Sequence, residues 1–467
     1  MTYRMLIDGA LTDGASTLEV VNPATGRVFA SCARADQAQL ELAIAAAKRA
    51  FKGWSSRSSS ERGMYLKQLA DALEARLPEF ATLLTKEQGK PLDQAQGEVF
   101  GSIMALRFYA ELDTPPKILS ETAQERVIEH RTPLGVVAAI APWNFPLLLM
   151  TLKLAPALVA GNTVIAKPAP TTPLTTLLLG ELAAELFPPG VFTTIADAND
   201  LGAYLTSHPD VAAVSFTGST ATGRKVVASG AGTLKRLMLE LGGNDAAIIL
   251  DDMTAADAAP RIFQAAMLNA GQICLAAKRI YAPRAIYDEL CAELAKLAQA
   301  AVVDDGLKPG VQIGPVQNRA QYEKLLGYLQ EAAREGKVVA GGEPLDRAGF
   351  FIPPTIVRDL PDSARLVQEE QFGPVLPILV YDDLDDAIAR ANNTEYGLGA
   401  TIWTSNPERG ASVAMRIDTG VTWVNRHLEL PFNISMGGAK QSGLGRQQGI
   451  EGLEAFSQAK VVSIALS

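Results

Sequence analysis

Gly135-Val136-Val137-Ala138-Ala139-Ile140 is a short apolar run. After the turn Pro142-Trp143-Asn144-Phe145-Pro146 the chain takes up helical periodicity over 147–159, then gives a second short run, Thr163-Val164-Ile165-Ala166. Strand, helix and strand at that spacing read as a parallel βαβ unit. The rhythm continues outward, with a helix over 173–186 that has Pro173 at its start, strands over 191–196, 211–216 and 236–239, and helices over 200–207 and 219–229. A doubly wound sheet of this kind suits a dinucleotide. Upstream, 37–51, 61–77, 78–88 and 94–112 read as helices able to pack on it. A second βα series follows Glu240, with a helix over 255–269, a strand over 279–282 and a helix from 285, and continues to Val424. Cys274 is expected at a helix end within it.

The predicted fold class is therefore α/β, with two doubly wound βα domains. Residues 1–113 and 133–241 form a dinucleotide-binding domain, and 242–456 a catalytic domain. Two extended segments, 114–132 and 457–467, fit neither sheet, and their apolar alternation has no evident partner inside one subunit. There is no internal repeat or low-complexity linker, so these boundaries rest on motif order.

A 48% apolar fraction over 467 residues allows roughly three structural units at about 150 residues each. The net charge of −9 argues against a polyanion-binding surface and hence against nucleic acid as a partner. The longest apolar stretch, 147–160, is broken by Lys153 and Pro156 and falls short of the ~20 apolar residues a membrane span needs. No membrane partner is expected. The first residues lack a long apolar core with a small-residue cleavage site, so the chain is expected in the cytoplasm. Three cysteines, Cys32, Cys274 and Cys291, form no CxxC pair, which suits a reducing compartment. Cys32 lies in a strand-like run and Cys291 in an amphipathic helix, where packing accounts for both. His130, His208 and His427 share no ligand spacing with one another, so no metal site is expected.

Chemistry concentrates in three motifs. Gly271-Gln272-Ile273-Cys274 offers a soft nucleophile, and Glu240-Leu241-Gly242-Gly243-Asn244 offers a carboxylate base. A thiolate adds to a carbonyl carbon to give a covalent intermediate, which water activated by a carboxylate can break. Asn144, in Pro142-Trp143-Asn144-Phe145-Pro146, carries a side-chain amide able to donate to an oxyanion. Two other segments bear on a cofactor. Phe216-Thr217-Gly218-Ser219-Thr220-Ala221-Thr222-Gly223 follows a strand and opens a helix whose N–H groups suit a pyrophosphate, although the same residues fit an ordinary helix capped by Ser219. Its glycine spacing approaches a Walker A loop, but Arg224-Lys225 stands where Lys-Ser/Thr is required, which removes the anchor for phosphoryl transfer. Lys167 follows a strand where its cation could reach an adenosine ribose; a solvated surface lysine is the other reading.

In order along the chain, PWNFP at 142–146, AKPAPTTP at 166–173, FTGSTATG at 216–223, ELGGN at 240–244, GQIC at 271–274 and EEQFGPV at 369–375 resemble the aldehyde dehydrogenase superfamily. The likeness runs from Asn22-Pro23-Ala24-Thr25-Gly26 to Ser442-Gly443-Leu444-Gly445-Arg446. It implies NAD(P)-dependent oxidation of a small-molecule aldehyde to a carboxylic acid through a hemithioacetal and thioester on Cys274. Asn144 would serve the oxyanion, Glu240 the hydrolytic water, and Lys153 a proton path. The resemblance places NAD or NADP against Trp143, Lys167, Pro170, Gly218, Ser219 and Gly223, with Glu370 on the nicotinamide ribose and Phe372 packed nearby. Phe145, Leu149 and Leu275 would form an apolar tunnel, while Arg426 and His427 could bind an acidic or polar tail. The segments 114–132 and 457–467 would form an oligomerisation arm of a homodimer or homotetramer.

Two departures stand out. Gln447 replaces a glutamate found in many relatives and cannot relay a proton as an acid. Pro170 stands where many NAD-preferring relatives place a glutamate, so with Lys167 free to pair with a 2′-phosphate, NADP should be tolerated beside NAD; shaping the turn before Pro173 is the plainer role for the proline. Thioester release to coenzyme A, and an inactive dinucleotide-binding or structural relative, are the alternatives, and the retention of Glu240 and Cys274 speaks against both.

Overall fold

The computed structural model describes residues 2–466. Its first sheet has six strands in the order Phe192–Thr194, Thr163–Lys167, Val136–Ile140, Val211–Thr217, Arg236–Glu240 and Gly443–Leu444. The first five run parallel and the last antiparallel. Val136–Ile140 and Thr163–Lys167 are buried at every residue, as strands covered on both faces by helices must be. The strand order reverses where Val136–Ile140 meets Val211–Thr217, which leaves a crevice at their carboxyl ends. The helix Pro146–Val159 begins with a proline in its first turn, is buried almost all round, and packs against Leu92–Ala110.

The second sheet has seven strands in the order Lys337–Ala340, Thr355–Arg358, Val375–Tyr381, Ala277–Pro283, Asp245–Ile249, Gly399–Trp403 and Val421–Val424. Lys337–Ala340 is its antiparallel edge. Side chains alternate between two buried layers, with Ala246, Ile248 and Leu250 on one face and Ala247 and Ile249 on the other. Glu240 ends a strand of the first sheet and Asp245 begins one of the second, so the chain crosses between them at the ELGGN motif.

Three expectations need correction. Within 242–456, Gly443–Leu444 returns to the first sheet beside Leu239 and Glu240, and Leu453 and Phe456 join its core. The helix expected over 255–269 stops at Met267, and Cys274 lies in the loop before the strand Ala277–Pro283, not at a helix end. The two extended segments also have partners within the subunit. Ser457–Ala465 pairs with Glu125–Pro133 along its whole length, and Glu125–Pro133 pairs with Lys117–Glu121, giving a three-stranded antiparallel sheet. Among the described residues, no helix is long and apolar enough to cross a membrane.

Candidate active site

The Cys274 loop is held by its backbone. Asn269, Ala270 and Gly271 take left-handed conformations in succession (φ 51°, 55° and 70°), which turns the chain sharply out of the preceding helix. At Gly271 a side chain is doubly excluded, because a Cβ there would also lie 2.4 Å from the Gly373 carbonyl oxygen. Asn144 ties this loop to the first unit. Its Nδ2 donates to the Gln272 carbonyl at 2.9 Å, and its own carbonyl accepts from Asn269 Nδ2 at 3.1 Å and from Lys90 Nζ at 2.9 Å. An amide nitrogen has two donors, so one N–H of Asn144 remains after that contact. Lys90 and Glu98 form an ion pair with both side chains fully buried. Glu98 also accepts from the backbone N–H groups of Leu147 and Leu148 at 3.0 and 3.2 Å, capping the helix that follows Asn144.

Burial dominates the electrostatics. It pushes the half-buried Cys274 thiol up to about 12, while Lys278 pulls the other way. Glu240 is raised above the ordinary carboxylate range by burial, against the pull of Lys153 and Arg446. Burial lowers Lys153, which Glu240 and Cys274 oppose; its Nζ donates to the Thr217 hydroxyl at 2.6 Å. Gln447 is buried, and its backbone pairs with Met436.

Two cavities meet at the crevice. One of about 180 Å³ is lined by Cys274, Asn144, Trp143, Glu370, Phe372 and Gly242. The other, about 630 Å³, is lined by Lys167, Pro170, Asn199, Thr222 and Lys225. Both are bounded by Trp143, Gly218 and Ser219, so a single cleft runs from Lys167 to the thiol. Trp143 from one unit meets Phe372 from the other edge-on at 5.2 Å. Gly223 lines neither cavity and lies inside its helix against Leu241. A further open depression of about 760 Å³ beside Met104, Phe108 and Phe432 contains none of the motif residues, and its charges are already paired, Arg107 with Asp71 and Lys67 with Glu111.

The structure alters several assignments. Lys167 is not free to pair with phosphate, because its Nζ lies 2.6 Å from Asp197 Oδ1 with both side chains buried. Asp197 went unnoticed because no local pattern links it to Lys167; the cation left exposed on that cavity is Lys225. Arg426 is solvent-exposed and lies 3.7 Å from Glu429. His427 packs on Trp423 with both ring nitrogens shut off from solvent, and burial pushes its pKa down to about 4, so it is uncharged at neutral pH. Neither residue is a ready anchor for an acidic tail. Phe145 and Leu275 pack in one apolar cluster with Cys274, whereas Leu149 packs against the first unit's core.

The family model described as the aldehyde dehydrogenase family matches residues 11–462. The chain belongs to the aldehyde dehydrogenase family. It is 38% identical to the 2-hydroxymuconic semialdehyde dehydrogenase of Pseudomonas sp. strain CF600, over 98% of this chain and 99% of that one. It is 36% identical to the human 2-aminomuconic semialdehyde dehydrogenase, over 98% and 97%. Among solved structures, the NAD+ complex of an aldehyde dehydrogenase from Bacillus cereus superposes with a TM-score of 0.97 at 33% identity, covering 100% of this chain and 97% of that one. An NADP-dependent enzyme from E. coli gives 0.96 at 35% identity, with 99% and 98% covered. As an aldehyde dehydrogenase, the protein oxidises an aldehyde to the acid with NAD or NADP as the acceptor. The cleft suits such a cofactor: it offers a helix amino terminus at Ser219, the cation of Lys225, and the partly exposed carboxylate of Glu370 for ribose hydroxyls.

Proposed function

We propose that Cys274 is the nucleophile, Asn144 the oxyanion donor and Glu240 the base that directs the acyl group to water. The observation that carries this reading is the single cavity lined by Cys274, Asn144 and Glu370, with Glu240 immediately before its Leu241-Gly242 wall. Trp143, Gly218, Ser219 and Glu370 would hold the nicotinamide end of the dinucleotide, and Lys167, Pro170 and Lys225 would border its adenosine end. When bound, the nicotinamide supplies a two-electron acceptor for hydride.

The neutral thiol must first lose its proton, and ionised Glu240, whose proton affinity burial raises, is the base assigned to take it. The sulfur then bonds to the aldehyde carbon, and the C=O electron pair moves to oxygen. That oxyanion is met by an N–H of Asn144 and by the Cys274 backbone N–H, donors worth about 3 kcal/mol each in comparable sites. Once Glu240 has released the thiol's proton and the thioester has formed, it takes a second proton, from water, as the new C–O bond forms. The C–S bond then breaks, and the thiolate is reprotonated. Lys153, buried beside the Thr217 hydroxyl, provides a route for the proton to leave. The arm joins subunits into a homodimer or homotetramer.

The test follows NAD(P)H absorbance with a panel of aldehydes, with and without coenzyme A. Water-dependent acid formation is expected without coenzyme A, and Cys274→Ala should lose turnover while still binding cofactor. Cys32→Ala and Cys291→Ala should remain active. Turnover retained in Cys274→Ala, or acyl-coenzyme A as the sole product, would overturn the reading.

A further inference from the structure

Lys278 lies four residues beyond Cys274 in the strand Ala277–Pro283, with its side chain 2% exposed. Its Nζ donates to the Cys274 carbonyl at 2.5 Å and lies 3.6 Å from Glu370 Oε1. On the adjacent strand, Asp245 is paired in register with Ala277 and is buried, with neither carboxylate oxygen in a well-formed hydrogen bond. The two groups converge on one niche. A Cβ at Gly243 would come within 2.7 Å of both Asp245 Oδ1 and the Cys274 carbonyl oxygen, so only glycine leaves room for them. A buried lysine and an under-satisfied buried aspartate are both costly, and the starts of two core strands require neither. Their place around the Cys274 carbonyl supplies a reason for them.

We propose that Lys278 and Asp245 are positioning residues for Cys274: the ammonium pins the loop through its carbonyl and places positive potential at the sulfur, and the carboxylate opposes it. The proposal rests on Cys274 being the nucleophile. Around the sulfur, Lys278 lowers the thiol's proton affinity, while Glu370, Asp245 and Glu240 raise it, in that order. Lys153 responds to the same thiol from the helix Pro146–Val159. Lys278 also opposes the ionisation of His427 and favours that of Asp245, whose pKa burial raises to about 8. At about pH 9, where lysine ammonium groups ordinarily keep their proton, Asp245 therefore carries its charge.

The experiment is alkylation of the apoenzyme with iodoacetamide across a pH series, with the Cys274 peptide quantified by mass spectrometry. In this reaction the thiolate forms the S–C bond and iodide leaves. Lys278→Met should slow labelling roughly tenfold at about pH 9, below the range where lysine ammonium groups ordinarily lose their proton, an effect equal to about one pH unit. Asp245→Asn should speed it there, since a negative charge is removed and Lys278 is kept. Loss of packing alone would not move the two variants in opposite directions. Unchanged rates in the folded variants, or changes of the same sign, would overturn the proposal. If Lys278→Met does not fold, Asp245→Asn decides: faster labelling supports it, and an unchanged or slower rate sinks it. Labelling reports the thiol whether or not Cys274 carries turnover, so failure here is distinct from retained activity in Cys274→Ala.

Discussion

At Glu240 the enclosure that makes the carboxylate a strong base also works against its ionisation. Its proton affinity is raised in the folded chain, so its contribution to stability is full below the ordinary carboxylate range and is lost as pH rises through the raised value. The ionised form proposed to activate water is thus the less stable one. Thioester hydrolysis should accelerate with pH above that ordinary range. Glu240→Gln should lose this rise and accumulate acyl-enzyme, seen as a mass adduct after mixing with aldehyde; steady turnover at the parent rate without an adduct would assign the water to another group. Pro170 raises a separate question of charge. Because Lys167 is held by Asp197, any tolerance of NADP must come from Lys225 and from the missing carboxylate at 170. Pro170→Glu should depress kcat/KM for NADP relative to NAD about tenfold, ~1.4 kcal/mol. An unchanged ratio would leave Pro170 a turn residue only.

Among the elements, the helices Leu92–Ala110 and Pro146–Val159 depend on a pair that local pattern could not show. Glu98 joins Lys90 to the amino terminus of the second helix, and Lys90 reaches the Asn144 carbonyl. Glu98→Ala would strand a buried ammonium and two helix-end N–H groups, a loss of about 3–5 kcal/mol measurable by denaturant unfolding. Combining Lys90→Met with Glu98→Leu should cost less than the sum of the single changes; strict additivity would mean that the pair does not act as a unit. Strands such as Val136–Ile140 and helices such as Pro146–Val159 were legible because near-complete burial demands apolar runs, whose lengths separate strand from helix. The turn at Asn269 and Ala270 was not, since alanine is a helix former that does not announce a left-handed backbone, and helical patterning continues into it. The partners of Lys167 and Lys90 were hidden for another reason: ion pairs form through space, between positions that no repeat connects. Cys274, Glu240 and Asn144 lie in recognisable motifs, but the hydrogen bonds joining their loops had to be seen.

For the whole molecule, the three-stranded arm satisfies its inner strand but leaves Lys117–Glu121 and Ser457–Ala465 as its outer strands, with Ile118, Leu119, Val461 and Ile464 exposed. Such edges favour addition of another chain. Light scattering should therefore find a dimer or tetramer, weakened by Val461→Lys, whereas a stable 49.6 kDa monomer would contradict the assembly. The short strand Gly443–Leu444 carries a different consequence. It flanks Glu240 in the first sheet, yet it is made only after the entire second sheet. During synthesis on the ribosome, the amino-terminal unit can collapse around its core long before this strand emerges. Until then the strand that ends in Glu240 is an unprotected rim, open to mispairing. A nascent chain stalled before residue 443 would hold Cys274 and Asn144 with Glu240 unsupported, so on the proposed roles the last part of the site to be assembled is the part that lets the product go.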